Sequence, residues 1–171
     1  RWVNPTSGND SNNGLTKATA WKSLQNKVTS LVADCNVIYV DGDHAMAESL
    51  YSSYGTRPRL PQGITIKSET YRGATLDGMG VVGNAFDICG AHNDIEIYGL
   101  KLRRFGNNSG NGVITAVPYS GLGGTGINGF RAIGNHFRDC GNGYPLNNDH
   151  IFYTAGGPSR AGAIRNMAIL H

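Results

Sequence analysis

No stretch of this sequence approaches the ~18 consecutive apolar residues of a membrane-crossing helix, and the mean hydropathy is −0.30. Membrane insertion is therefore not expected. Proline is scarce at 6 in 171 residues. Only three cysteines occur, Cys35, Cys89 and Cys140. They cannot all pair within one chain and lack metal-ligand spacing, so they read as buried thiols with room for one disulfide. The redox compartment stays open on that count. The chain opens on Arg1 with no apolar leader and is expected to be a mature or trimmed product. Strong net charge is missing too: the total is +3, and a nucleic-acid partner is not expected. Acidic residues run short in the second half, where only Glu96, Asp139 and Asp149 occur.

What is plentiful is glycine, at 25 residues, with frequent asparagine. That mix favours turns and short strands over long helices. At this length one domain, 1–171, is the simplest reading, and it can bury a real core. Charge is uneven. Residues 1–95 hold eight Lys/Arg and nine Asp/Glu, giving −1, whereas residues 96–171 hold seven and three, giving +4. The positive half suits an acidic partner, although +4 is also what an ordinary solvated face carries.

A pattern repeats. Three apolar positions, two and then five residues apart, occur at Ile38/Val40/Ala45, Ile64/Ile66/Tyr71, Ile95/Ile97/Leu102, Phe130/Ala132/Phe137 and, with a weak first member, Gly162/Ile164/Ile169. First members are separated by 26, 31, 35 and 32 residues. Positions two apart share a strand face, and a gap of five resumes that face after a bend. Stacked strands must keep their inward residues in register, while connecting loops vary freely. The pattern predicts a coil of short parallel strands, about four to five turns over 35–171. Before it, residues 1–34 form an entry block. There Trp21, Leu24, Val28, Leu31 and Val32 share one helical face, with Thr19 as N-cap, predicting a cap helix over 19–32.

The stretches "RWVNPTSGNDSNNGLTKATAWKSLQNKV" and "NVIYVDGDH", continued by "ITIKSE", "ATLDG", "FDICGAHNDIEIYGLKL" and "FRAIGNHFRDCGNG", cover nearly the whole chain. They resemble right-handed parallel β-helix proteins of the pectate-lyase-like superfamily, and the entry blocks of phage tail-spike and fibre proteins. The resemblance implies an all-β, right-handed parallel β-helix behind its cap helix. It also implies an extracellular, virion or cell-surface location. It leaves activity open, because the superfamily includes lyases, hydrolases, epimerases, adhesins and structural spikes.

The best internal match sets "GLKLRRFGN" (99–107) against "GNHFRDCGN" (134–142). It places Lys101 beside His136, Arg103 beside Arg138 and Arg104 beside Asp139. With Leu102 and Phe137 inward, Lys101, Arg103, His136 and Arg138 point outward as a basic ladder able to contact a carboxylated or sulfated chain. The plainer reading is a solvated column. The resemblance implies Lys or Arg bases on such a face, beside Ca²⁺ held by carboxylates, which would make the four ladder residues catalytic for β-elimination. Arg104, Asp139, Asp149 and His150 are the further ligand-binding candidates. Three scattered acids make a thin Ca²⁺ cage, and no acid cluster supports glycoside hydrolysis. "GNDSNNG" (8–14) offers oxygens at Asp10, Asn12 and Asn13, most simply an Asx-rich turn. Asn9 and Asn107 stand in N-x-S sequons.

Two functions follow. One is recognition of an acidic polysaccharide, with cleavage as a polysaccharide lyase if the protein is an enzyme. The other is a non-catalytic module of a spike, fibre or filament. The chain stops within a strand-like "RNMAILH". That end is expected to be covered by self-association or by further chain.

Overall fold

The computed structural model describes residues 1–28, 31, 37–51, 60–89, 92–106, 112–117, 126–140, 152–154, 163–165 and 167–170. Asn107, Asp149, His150, Cys35 and Gly162 lie outside them.

The chain opens with β1 (Trp2–Val3), a 3-10 turn (Lys17–Thr19) and one short helix, α1 (Leu24–Val28). Strands then follow in circuits. The first contains β2 (Val37–Val40), β3 (Asp43–Ala45) and β4 (Leu50–Tyr51). The second contains β5 (Thr65–Ser68), β6 (Thr75–Asp77), β7 (Phe86–Cys89) and β8 (His92–Asn93). The third contains β9 (Glu96–Tyr98), β10 (Lys101–Arg103), β11 (Ile114–Val117) and β12 (Gly126–Asn128). The fourth contains β13 (Arg131–Ile133), β14 (His136–Arg138), β15 (Phe152–Thr154) and β16 (Ala163–Arg165), and β17 (Ala168–Leu170) begins another.

Every pairing among the described strands is parallel. The sheets order as β1-β2-β5-β9-β13-β17, β3-β6-β10-β14, β4-β7-β11-β15 and β8-β12-β16. The second, third and fourth circuits thus each add one strand to each of the four sheets in the same cyclic order, and the first adds one to each of the first three. The described residues are almost all-β and parallel, with very little helix.

Inward residues form columns through the circuits. Ile38, Ile66, Ile97 and Ala132 stack in register and are fully buried. Leu50, Phe86 and Ile114 do the same in the third sheet. Ile64, Ile95, Leu102 and Phe130 are buried in the same core, and Phe137 is partly buried against it. Burial of this apolar surface, at about 25 cal/mol per Å², is the main stabilising contribution.

Two of the expected inward positions are corrected. In the second sheet the inward column is His44, Leu76, Leu102 and Phe137, so Ala45 is exposed and Tyr71 is 53% exposed. From the Ile38 column to this one the step is five residues at Ile97–Leu102 and Ala132–Phe137, six at Ile38–His44 and ten at Ile66–Leu76, so a fixed gap of five holds only in the later circuits. Residues 99–100 and 134–135 turn the later corners, but residues 69–74 turn the corner between β5 and β6.

The cap helix expected over 19–32 is also corrected: described helix is limited to Leu24–Val28. The backbone around Trp21 is committed elsewhere. Its N–H donates to the Trp2 carbonyl, its carbonyl accepts from Asn4, and it bridges Val3 as a strand would. Thr19 ends the 3-10 turn, and Thr16 caps it. The helix is started instead by Ser23, whose hydroxyl accepts from the Asn26 N–H at 3.2 Å. Asp10, Asn4, Asn9 and Asn13 spend carboxylate or amide oxygens on nearby backbone N–H groups. The Asx-rich stretch is therefore a set of turns that fold the entry block.

His44 is the exception in an apolar column. It is buried, with Nε2 3.0 Å from the Asp41 carbonyl. Burial lowers its pKa below the ordinary value of 6.5, against weaker opposing effects of that hydrogen bond and of Asp43 and Asp41. The unfolded chain therefore takes up this proton first. The neutral imidazole contributes stability that is present above about pH 6.5 and declines as pH falls below it. Urea midpoints measured from neutral to mildly acidic pH should drop in the native chain. The drop should be smaller in His44→Leu, which continues the column of Leu76 and Leu102; an unchanged pH slope in that variant would place the acid sensitivity elsewhere.

Candidate functional site

The outer face of the second sheet carries the ladder. Because side chains alternate across a strand, burying Leu102 turns Lys101 and Arg103 outward, and packing Phe137 against the core does the same for His136 and Arg138. The strand register pairs Lys101 with His136 and Arg103 with Arg138. All four side chains are exposed. Below them on the same face, β6 presents Thr75 and Asp77, and β3 presents Asp43 and Ala45. The face is therefore polarised along the stack, basic at β10 and β14 and acidic toward β3.

Arg104 and Asp139 follow the ladder strands at equivalent places, both with φ of 52°. Such a backbone costs a side-chain-bearing residue on the order of 1 kcal/mol or more. At Arg104 two contacts hold it. Its backbone N–H donates to the Arg138 carbonyl at 3.2 Å. Its guanidinium grips Asp77 with both arms, Nε to Oδ1 at 2.8 Å and Nη2 to Oδ2. Asp77 is only 14% exposed. The guanidinium hydrogen bond, partly opposed by desolvation, holds the Asp77 carboxyl below its usual range, and the same pairing raises the pKa of Arg104.

Asp139 lies between the two ladder arginines, 3.5 Å from Arg103 and 3.4 Å from Arg138. All three side chains are well exposed, so water screens both pairs and either arginine can exchange Asp139 for a ligand anion at little cost. Arg104 is different: its forked bond to Asp77 makes it a support for the face. Cys140 packs its Sγ 3.4 Å from the Leu102 and Arg138 carbonyls, and burial raises its thiol pKa, so it is a packing residue.

The described residues do not fit a Ca²⁺ cage, and Asp149 lies outside them. Asp77 and Asp139 are engaged by guanidinium groups, and Glu96 is on the first sheet, where Arg131 Nε reaches it at 2.8 Å. Among the described residues no three His, Cys, Asp or Glu side chains converge as metal ligands. A cleft of about 270 Å³ opens elsewhere, between the entry block and β3, lined in part by Pro5, Lys22, Gln25, Asp43 and His44.

No family model, curated protein or solved structure matches the chain.

Function must therefore be argued from the face itself. Sequence reasoning found the ladder through the internal alignment. It missed the gripping of Arg104 by Asp77, because Asp77 precedes Arg104 by 27 residues and falls outside the aligned pair of segments. It missed Tyr71 as well, since the fixed spacing assigned that ring to the core.

Proposed function

We propose that the chain is a right-handed parallel β-helix, similar to the pectate-lyase-like proteins, that recognises an acidic polysaccharide at the cell or virion surface. Three features support the fold reading: all-parallel pairing, the cyclic strand order, and the strong preference of parallel crossovers for the right hand. The observation that carries the function is the register-matched, exposed pair of rungs Lys101–His136 and Arg103–Arg138. Adjacent strands lie about 4.8 Å apart, so the rungs present cations at a fixed pitch to an extended, repeating polyanion.

The chemistry open to such a ligand on this face is β-elimination. A base removes the proton at C5 of a uronate, the C4–O bond breaks, and a C4=C5 double bond remains, the proton being returned to the leaving oxygen. Lys101, Arg103, His136 and Arg138 are the residues that would carry it. Recognition needs only the charge of Lys101, Arg103 and Arg138.

The test is a titration with oligogalacturonate, oligoalginate and heparin fragments at low and high salt, with absorbance followed for unsaturated uronates. Binding that weakens with salt is expected, and Arg103→Ala with Arg138→Ala should reduce affinity about 10-fold at low salt. If no glycan binds, or if the double variant binds with unchanged affinity and salt dependence, the ladder is a solvated column.

A second reading, a non-catalytic structural module of a spike or fibre, is favoured by the charge balance. Lys101, Arg103, Arg104 and Arg138 face Asp43, Asp77 and Asp139, leaving +1. Failure of every glycan in the same titration selects it.

A further inference from the structure

The corner between β5 and β6 is longer than its counterparts, and the extra chain carries Tyr71 outward over the next two circuits. The ring lies on Gly99 and Gly134. A Cβ placed on Gly99 would stand 3.0 Å from Tyr71 Cδ2, and one on Gly134 would stand 2.8 Å from Cε2 and 2.9 Å from the phenol oxygen. Both glycines have φ of +63°, so the corner requires glycine for its backbone and for the ring resting on it. Arg72 fixes the loop. Its backbone N–H donates to the Gly99 carbonyl at 2.7 Å and its Nε to the Gly134 carbonyl at 2.9 Å. The Arg72 guanidinium carbon is 5.0 Å from the ring centroid, and Tyr98 flanks the ring at 6.0 Å.

A large aromatic ring is thus positioned by three neighbours, yet 53% of the residue faces solvent. Its place is specific. Lys101 follows Gly99 by two residues and His136 follows Gly134 by two, across the short corners, which puts each at most about 7 Å further along the chain. The ring therefore borders the N-terminal edge of the ladder, with the Arg72 cation over it. A pre-positioned aromatic surface next to cations matches a pyranose that bears an acidic group: the apolar C–H face of the sugar meets the ring, and its carboxylate or sulfate meets the cations.

We propose that Tyr71 is a stacking platform for one sugar ring of the acidic glycan, with Arg72, Lys101 and His136 receiving its anionic substituent. This rests on the glycan reading above and adds what distinguishes a sugar from any other polyanion.

The experiment uses the full chain with two probes, oligogalacturonate and inorganic polyphosphate, the second having charge but no sugar ring. Tyr71→Phe keeps the aromatic face, Tyr71→Leu keeps apolar bulk without it, and Tyr71→Ala removes both. Thermal melts verify that each variant is folded. Phe should bind oligogalacturonate like the native chain, while Leu and Ala should lose about 3- to 10-fold, the range a stacked ring contributes. Polyphosphate affinity should not change in any of them. Ring-current upfield shifts of the sugar C–H protons should appear with Tyr and Phe alone. If Ala weakens both probes equally, Tyr71 merely supports the ladder and the inference fails. If oligogalacturonate binds the native chain and Ala equally, the inference fails while the glycan reading stands. If none of the glycans titrated above binds the native chain, or a single-stranded oligonucleotide binds it more tightly than they do, both fall together; if only alginate or heparin fragments bind, the inference fails for a galacturonate ring while the glycan reading stands.

Discussion

Ile97→Ala is expected to destabilise the protein by about 3–4 kcal/mol, near the middle of the range for emptying a fully buried aliphatic site. Ile97 is fully buried, with Ile66 on one side of it and Ala132 on the other in the same column. Neither neighbour can close the gap, because each is held in register by its own strand pairing. At roughly 2–4 °C per kcal/mol for a chain of this size, the melting temperature should fall by about 10 °C. The same change at Ile169 provides the control. Ile169 pairs with Ala132 in that column but is 37% exposed, so its truncation should cost about 1 kcal/mol or less. Chemical denaturation of both variants checks the contrast; equal losses would show that the columns are not the unit of packing.

Gly8→Ala is expected to be at least as damaging. A Cβ on Gly8 would stand 2.1 Å from the Trp21 carbonyl oxygen and 2.4 Å from that of Asn4. Both are backbone atoms and both are already engaged: Trp21 O accepts from the Asn4 N–H at 2.8 Å and Asn4 O from the Gly8 N–H at 2.9 Å. A rotating side chain cannot relieve such a clash. Either the entry block opens or those bonds break, and the cost should reach about 4 kcal/mol, the tail of single-substitution effects. Trp21 provides the readout. It is buried, with Nε1 donating to the Asn12 carbonyl at 2.8 Å. Its release should shift tryptophan emission to the red under conditions where far-ultraviolet circular dichroism still reports strands. Unshifted emission with native stability would mean that the turn at Gly8 accommodates a methyl group.

Much of the strand architecture was legible. Ile64/Ile66 and Ile95/Ile97 alternate cleanly because both members face one core, and "GLKLRRFGN" matches "GNHFRDCGN" because two short corners leave β10 and β14 in step. What was hidden has physical causes. A six-residue corner breaks a fixed spacing without leaving any compositional mark, so Tyr71 passed for a core residue and Leu76 was overlooked. His44 occupies an inward position that hydrophobicity alone would not assign to histidine. The apolar period from Trp21 to Leu31 mimics a longer helix, but pairing between residues 2–4 and 21 competes for the same backbone and wins. The ladder was visible as residues; its dependence on Asp77 and Asp139 required the circuits to be stacked.

The cyclic order of the strands also bears on how the chain is made. Across the described strand-to-strand pairings, the Val3–Trp21 bridge aside, partners are separated by between 26 residues, as for Thr75 and Lys101, and 38, as for Ile114 and Phe152. No described strand waits for a distant segment. A chain leaving the ribosome at about 5–20 residues per second completes each circuit within seconds of the one it docks on. Synthesis from the N-terminus can therefore extend the stack in order, each finished circuit serving as the template for the next.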